Sequence, residues 1–266
     1  MRNTPPAPRT PPYVSLALIA AGLALWLAPE VVAWLNRSED EAWARVQRSG
    51  VIRFAIDPSY MPFDGLGSHN DFYGIDVEIA TEIARRTGVR AEFVIAGQDS
   101  LYDVLKVGQA DATISALIVN PIMDDAWDYS TPYFDAGQAL IKPARRLETS
   151  PVLLAVERGS DGAAAARHIA RRQANVTVRP FASTDEALQA IVDGPAAGAI
   201  VDAVSAQQLL SKKYPQLTVG DYVTHAPYAI AVWGGSAQLL AAINRALAEM
   251  RQAGTLQRII DAWMAK

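Results

Sequence analysis

One pattern constrains this chain more than any other. The order strand, helix, strand, helix, strand occurs twice, first from residue 51 and again from residue 152. Residues 51–56 (VIRFAI) are a β-rich run after the Ser49-Gly50 turn. Residues 74–86 repeat Ile75, Ile79 and Ile83 on one helical face, with Gly88 just past the end. Residues 90–95 read as a strand, Asp99 opens a short helix with Leu101, Val104 and Leu105 inward, and residues 110–117 (ADATISAL) form a third strand. The second copy has a strand at 152–156, a helix from Gly159-Ser160 through Arg172 capped by Ser160, and a strand at 175–178. Ser183-Thr184-Asp185-Glu186 is a capping box before a helix to Val192, and residues 197–201 (AGAIV) are a strand ending at Asp202.

Two βαβαβ units in series imply an α/β fold of two lobes, each a parallel sheet flanked by helices. Residues 134–143 leave the first unit and residues 222–232 return to it. Helices at 236–253 and 255–265 would then pack on the first lobe. The expected division is 37–138 plus 224–266 for one lobe and 139–223 for the other. Ligands of open α/β sheets sit beyond the carboxyl ends of the strands, which places a site in the cleft between the lobes.

Residues 1–36 stand apart from this pattern. Residues 1–12 hold five prolines and two arginines and suit neither a helix nor a core strand. Residues 13–28 are almost wholly apolar, and after Pro29-Glu30 the apolar run resumes to Leu35. A basic start before an apolar run is the pattern of a signal peptide or signal anchor. Counted through Leu35 the run is long enough for an uncleaved anchor, the preferred alternative. Val31-Val32-Ala33 offers a small-residue cleavage site for the other. Either way the remainder lies outside the cytoplasmic membrane.

The composition narrows the chemistry. Half of the 266 residues are apolar, enough for a sizeable core, and the net charge of −4 lacks the basic excess of a nucleic-acid binder. With no cysteine there is no disulfide, thiolate metal site, cysteine nucleophile or lipid-modified cysteine anchor. The sequence has no G-x-S-x-G, no Walker loop and no G-x-G-x-x-G. His69, His168 and His225 are scattered, so neither a metal nor a cofactor is expected.

The strand ends carry more. The first strand runs into Asp57-Pro58-Ser59-Tyr60-Met61-Pro62-Phe63, an acid and two aromatic rings on a proline-stiffened loop. Such a loop can present a carboxylate and stacking rings to a ligand, or be an ordinary proline turn. The third strand ends at Ser115-Ala116-Leu117. Gly159-Ser160-Asp161 brings backbone amides to a helix start, which suits an anion. Asp202 could bind an ammonium group.

These pieces, in this order, resemble the family 3 periplasmic solute-binding proteins of ABC importers. The resemblance spans residues 45–264. It is carried by Asp57-Pro58-Ser59-Tyr60-Met61-Pro62-Phe63, Gly74-Ile75-Asp76-Val77, Gly108-Gln109-Ala110-Asp111 and Tyr129-Ser130-Thr131-Pro132-Tyr133-Phe134. Gly159-Ser160, residues 197–202 and a C-terminal stretch with Asn244, Leu247, Gly254, Leu256, Ile259 and Trp263 complete it. It implies a two-lobed periplasmic-binding-protein fold of type II, hinged by two strands and closing on its ligand. By the resemblance, Asp57 and Tyr60 contact the ligand side chain, Phe63 is structural or lines the cleft, Ser115 hydrogen-bonds the ligand and neighbouring Leu117 lies beside it. Asp202 pairs with the ligand's ammonium, and Tyr133 belongs to the approach to the hinge.

The anion-binding half departs from the family pattern. Met123 stands where the resemblance implies an arginine for the ligand carboxylate, and methionine cannot donate to one. Ile118 replaces a hydroxyl residue, and Asp161 replaces a threonine after Gly159-Ser160. Either Arg158 supplies the missing charge from the second lobe, or the solute has no carboxylate, which is the preferred alternative. The expected partners are a small polar solute (amino acid, amine or related compound), an ABC permease and, if the leader is uncleaved, the membrane. A cyclohexadienyl dehydratase-like enzyme on the same scaffold and a membrane-tethered sensing module are the competing functions.

Overall fold

The computed structural model describes residues 41–119, 126–144 and 151–266. The apolar leader and Met123 lie outside the described residues. No helix among the described residues is long and apolar enough to cross a membrane.

The described residues open with α1 (Glu41–Ser49) and β1 (Val51–Ile56). A small hairpin of β2 (Gly65–Leu66) and β3 (Phe72–Tyr73) leads into α2 (Ile75–Arg86) and β4 (Arg90–Ile95). After a 3₁₀ turn at Gln98–Ser100 come α3 (Asp103–Lys106), β5 (Ala112–Thr113) and β6 (Trp127–Tyr129). The first crossing is β7 (Phe134–Asp135), followed by β8 (Gln138–Pro143). The second unit is β9 (Val152–Glu157), α4 (Asp161–Ala170), β10 (Val176–Phe181), α5 (Thr184–Val192), β11 (Gly198–Asp202), α6 (Ala203–Lys212) and β12 (Leu217–Tyr222). The chain returns through β13 (Pro227–Tyr228) to β14 (Ala231–Trp233), α7 (Ala237–Gln252) and α8 (Thr255–Met264).

Two five-stranded sheets result, in the orders β4-β1-β5-β14-β6 and β10-β9-β11-β8-β12. In each, the first three strands are parallel, as the βαβαβ pattern requires. The sheets are nevertheless mixed rather than parallel. Each takes an antiparallel fourth strand from a crossing segment: β14 beside β5, and β8 beside β11. The crossings themselves pair as the antiparallel ribbon of β7 and β13. The two sheets are thus tied together by the strands that complete them.

The apolar runs of the central strands are continuous because both faces are covered. In β11, Ala199 and Val201 face a core with Leu188, Ile191 and Tyr214, while Ile200 faces Ala163, Ala166 and Val156. In β1, Phe54 joins Ile75, Ile79 and Ile83 of α2, and Ala55 joins Leu101 and Leu105 on the other side. The packing also crosses between units: Val204 of α6 belongs to the first core, and the Ser211 hydroxyl donates to the Met264 carbonyl at 2.8 Å.

Several boundaries differ from the sequence expectation for identifiable reasons. The strand expected at 110–117 narrows to Ala112–Thr113, and the chain turns out of the sheet at Ala116, whose φ is 45°. β10 runs on to Phe181 through Pro180 because it is an edge strand, where a missing N–H is tolerated. The helix expected from Asp99 is a 3₁₀ turn followed by the single turn α3. Ser160 caps α4, accepting from Ala163 N at 3.1 Å. In the capping box Ser183 accepts from Glu186 N at 3.2 Å, but Glu186 reaches back to Ala182 N rather than to Ser183 N. Ser183→Ala should therefore cost about 1 kcal/mol of unfolding free energy. Urea unfolding checks this, and a change below a few tenths would show the cap to be idle.

The hinge ribbon is pinned by one carboxylate. Asp135 Oδ1 accepts from Gly137 N and Ala226 N, each at 2.9 Å, and its Oδ2 meets His225 Nδ1 at 2.6 Å. Partial burial pushes this carboxyl up, but His225 and the two amides together outweigh burial and hold it below the usual range. Gly137 is required by close approach: a Cβ there would sit 2.0 Å from the Thr224 carbonyl oxygen of the other crossing.

Candidate ligand cleft

The carboxyl ends of β1 and β5 meet at Ser115. Its hydroxyl accepts from Asp57 N at 3.0 Å and donates to Asp64 Oδ2 at 2.7 Å. Ser115 is 4% exposed and fully committed to holding the two strand ends, so it positions the cleft floor rather than offering a free hydroxyl. The Asp57 side chain follows at the rim, half-buried, with Oδ2 accepting from Gln98 N at 2.9 Å.

Tyr60 stands 45% exposed, stacked on Phe63 with ring centroids 5.6 Å apart. Phe63 is fully buried, its ring edge-on to Phe134 and Tyr228 at 5.2 Å each. It therefore supports Tyr60 and does not line the cleft itself. Leu117 is likewise buried, packed with Ala96, Leu101 and Leu105, and presents no face to the cleft. Its neighbour Ile118 is exposed beside the hinge, bridged to Tyr228.

From the second unit, Asp202 ends β11 and caps α6, its Oδ1 accepting from Ser205 N at 2.8 Å. It is half-buried and takes part in no ion pair among the described residues. Tyr228 links the two sides. Burial first, then the Tyr60 hydroxyl and the charges of Asp202 and Asp76, hold its phenol well above the ordinary value. Asp57 and Ser115 thus meet at the strand ends of the first sheet, and the Tyr60 hydroxyl and the Asp202 charge both act on Tyr228 of the hinge ribbon. Arg158 sits exposed on the β9–α4 turn and Asp161 exposed at the first position of α4. Ser160 is spent on its cap and on donating to the Glu157 carbonyl at 2.8 Å.

The sequence reading did not single out Asp64, Asp76 and Tyr133 as site residues. Both carboxylates are fully buried directly beneath Ser115 and Ala116, with Asp76 Oδ2 accepting from Ala116 N at 2.6 Å. Burial, then the facing Asp76, pushes the Asp64 carboxyl up, with Ser115 opposing. Burial likewise raises Asp76, against the Ala116 amide and Tyr133. Asp76 shares a helical face with Ala80 and Ile83 by i+4 and i+7 spacing, and this was the available signal. Other motif residues are structural: Asp111 accepts from Arg53 N at 2.8 Å and pairs with Arg53 and Arg45, clamping α1 and β1 to β5. Among the described residues no group of three His, Asp or Glu side chains could hold a metal ion.

The cleft is therefore acidic and aromatic, built at facing strand ends around a two-strand hinge. Residues 52–266 match the model of the bacterial extracellular solute-binding proteins, family 3. The chain belongs to this family. It is an extracytoplasmic solute-binding protein with the two-lobed α/β fold. Among its relatives is the ABC transporter arginine-binding protein 1 of Escherichia coli strain K12, 27% identical over 219 residues, covering 80% of this chain and 90% of that one. A solved ancestral cationic amino acid solute-binding protein is 26% identical with a TM-score of 0.54, over 83% of this chain and 98% of that one. A solved ancestral cyclohexadienyl dehydratase has a TM-score of 0.70 at 22% identity, over 84% of this chain and 95% of that one, a likeness of fold. The binding protein's match covers both units and the return helices, and leaves residues 1–51 outside.

Proposed function

We propose that the protein captures a small cationic solute, an amine or a related compound, between lobes formed by 37–138 plus 224–266 and by 139–223. It delivers the solute to an ABC permease, and residues 1–36 hold it at the outer face of the cytoplasmic membrane. One observation carries this proposal: Asp57 and Asp202, each half-buried at or just past the carboxyl end of a strand in one of the two sheets, are paired with no cation among the described residues. Two such carboxylates and the exposed ring of Tyr60 suit an ammonium group, by charge and by the ring face. The named ligand of the arginine relative and of the ancestral cationic amino acid binder agrees in charge. Met123 and Asp161 leave the first lobe and the α4 start without a carboxylate-binding cation, which favours a solute lacking that group. Arg158, the other candidate for that charge, is exposed on its turn.

Closure around the solute is then the whole event, with no bond made or broken. Burying the ligand strengthens its polar contacts, and its binding energy drives the closed state. A thermal-shift panel tests this. Polyamines and alkylated ammonium compounds should raise Tm by several degrees, and neutral or acidic amino acids should not. A strong shift with ordinary α-amino acids that Arg158→Ala abolishes would overturn it. Turnover of prephenate or arogenate would instead establish an enzyme.

A further inference from the structure

The most unusual chemistry in the molecule lies under the cleft, not in it. Asp64 and Asp76 are both fully buried, on the β1–β2 loop and the first turn of α2. Each spends one oxygen on a single donor: Asp64 Oδ2 on the Ser115 hydroxyl and Asp76 Oδ2 on Ala116 N. The remaining oxygen of each, Oδ1, has no hydrogen-bond partner. The Tyr133 hydroxyl, on a side chain 4% exposed, lies beside both and also lacks a partner of good geometry. The titratable groups around the pair among the described residues are Asp57 just past β1, Tyr133 from the segment before β7, and Tyr228 from β13. None is cationic.

Two carboxylates cannot both stay ionised in such a chamber, because burial and mutual repulsion penalise the second charge. We propose that Asp64 and Asp76 hold one exchangeable proton between them, and that a cation settling at Asp57 and Asp202 releases it. The proton rests on one of the two unpartnered Oδ1 atoms and leaves to solvent buffer. The link to the cleft is short. Ser115 donates to Asp64 and accepts from the Asp57 backbone amide, so Asp64 is tied to the main chain of the rim residue, whose carboxylate charge also bears on it. An incoming positive charge favours the doubly ionised pair, whereas a neutral solute leaves it unchanged. Asp64 and Asp76 are thus positioning residues that add cation selectivity from below, and affinity for a cation rises with pH. The cation half rests on the proposed cleft function, while the proton itself does not.

The test begins without ligand. Infrared difference spectra of the full chain should show the carbonyl band of a protonated carboxyl near neutral pH, lost towards alkaline pH. Asp64→Asn, which keeps the acceptor for Ser115, should remove that titration, and Asp76→Asn is the second variant. The folded protein then binds more protons than the unfolded chain above the usual carboxylate range, so stability should fall as pH rises. Absence of the band, or a stability set by sodium concentration instead of pH, would overturn the proton and indicate a bound monovalent cation. For the coupling, calorimetry with putrescine and L-arginine in buffers of different ionisation enthalpy should show up to one proton released. Affinity should rise by at most about tenfold per pH unit, and Asp64→Asn should flatten that dependence. Binding that is equally tight across pH overturns the coupling even where the band is seen. Failure of both probes to bind at any pH overturns the coupling and the cationic-solute function together, leaving the infrared result to decide the proton.

Discussion

Asp202→Asn is expected to leave the folded protein nearly as stable as before while lowering its affinity for a cationic solute about a hundredfold to a thousandfold. The separation follows from the two jobs of one side chain. Oδ1 of Asp202 caps α6 through Ser205 N at 2.8 Å, and an asparagine amide oxygen caps a helix about as well. What asparagine removes is the charge. In a closed cleft that charge would face the solute's ammonium with little screening, and losing one partner of a desolvated pair typically costs about 2–5 kcal/mol. Asp202→Ala should lose the same affinity and, in addition, about 1 kcal/mol of stability from the missing cap. Calorimetric titration with the amine giving the largest thermal shift, beside urea unfolding, reads both quantities. Unchanged affinity in Asp202→Asn would remove the ammonium role from this residue.

Much of this arrangement was legible before the structure. Parallel three-strand cores announce themselves as short apolar runs, because strands buried on both faces need no polar alternation. The fourth strand of each sheet was not legible as such. β14 and β8 are contributed by the opposite crossing, and nothing local to residues 231–233 or 138–143 says that they run antiparallel to strands far away in the chain. Asp57 and Asp202 stand out in the sequence as acids directly after apolar strands, although each also has a structural use: Asp57 Oδ2 accepts from Gln98 N and Asp202 caps α6. Ser115 looks equally available in the sequence, yet both of its hydrogen-bonding roles are taken within the first lobe, by Asp57 N and Asp64, which are 58 and 51 residues away in the chain. Phe63 shows the converse. An aromatic on a proline loop can stack on a ligand or fill a core, and the choice depended on Phe134 and Tyr228 arriving from the hinge. Asp76 carries two conflicting signals: an acid in a helix's first turn suggests a solvent-facing dipole partner, whereas its i+4 and i+7 neighbours, Ala80 and Ile83, point inward.

The substitution with the largest expected effect on the fold is Gly74→Ala. Gly74 precedes α2 with φ 130° and ψ 175°, a region open essentially to glycine alone. Space is also lacking: a Cβ would sit 2.1 Å from the Phe63 carbonyl oxygen. That carbonyl is itself in use. It accepts Asp76 N at 3.0 Å, while the Pro62 carbonyl accepts Ile75 N at 3.0 Å, so the loop after β1 satisfies the first free amides of α2. An alanine must therefore either strain the backbone or push the loop away and strand those amides. Strain and lost hydrogen bonds together should cost about 3 kcal/mol or more, a large share of an ordinary domain's stability. The loss should reach the cleft as well, because the displaced loop carries Tyr60 and Asp64. Urea unfolding should show a lower midpoint with an unchanged slope, the mark of lost stability rather than of an altered unfolded state. A cost below about 1 kcal/mol would mean that the loop yields freely. Rigid placement of Tyr60 over Phe63 would then have to come from the ring contacts alone.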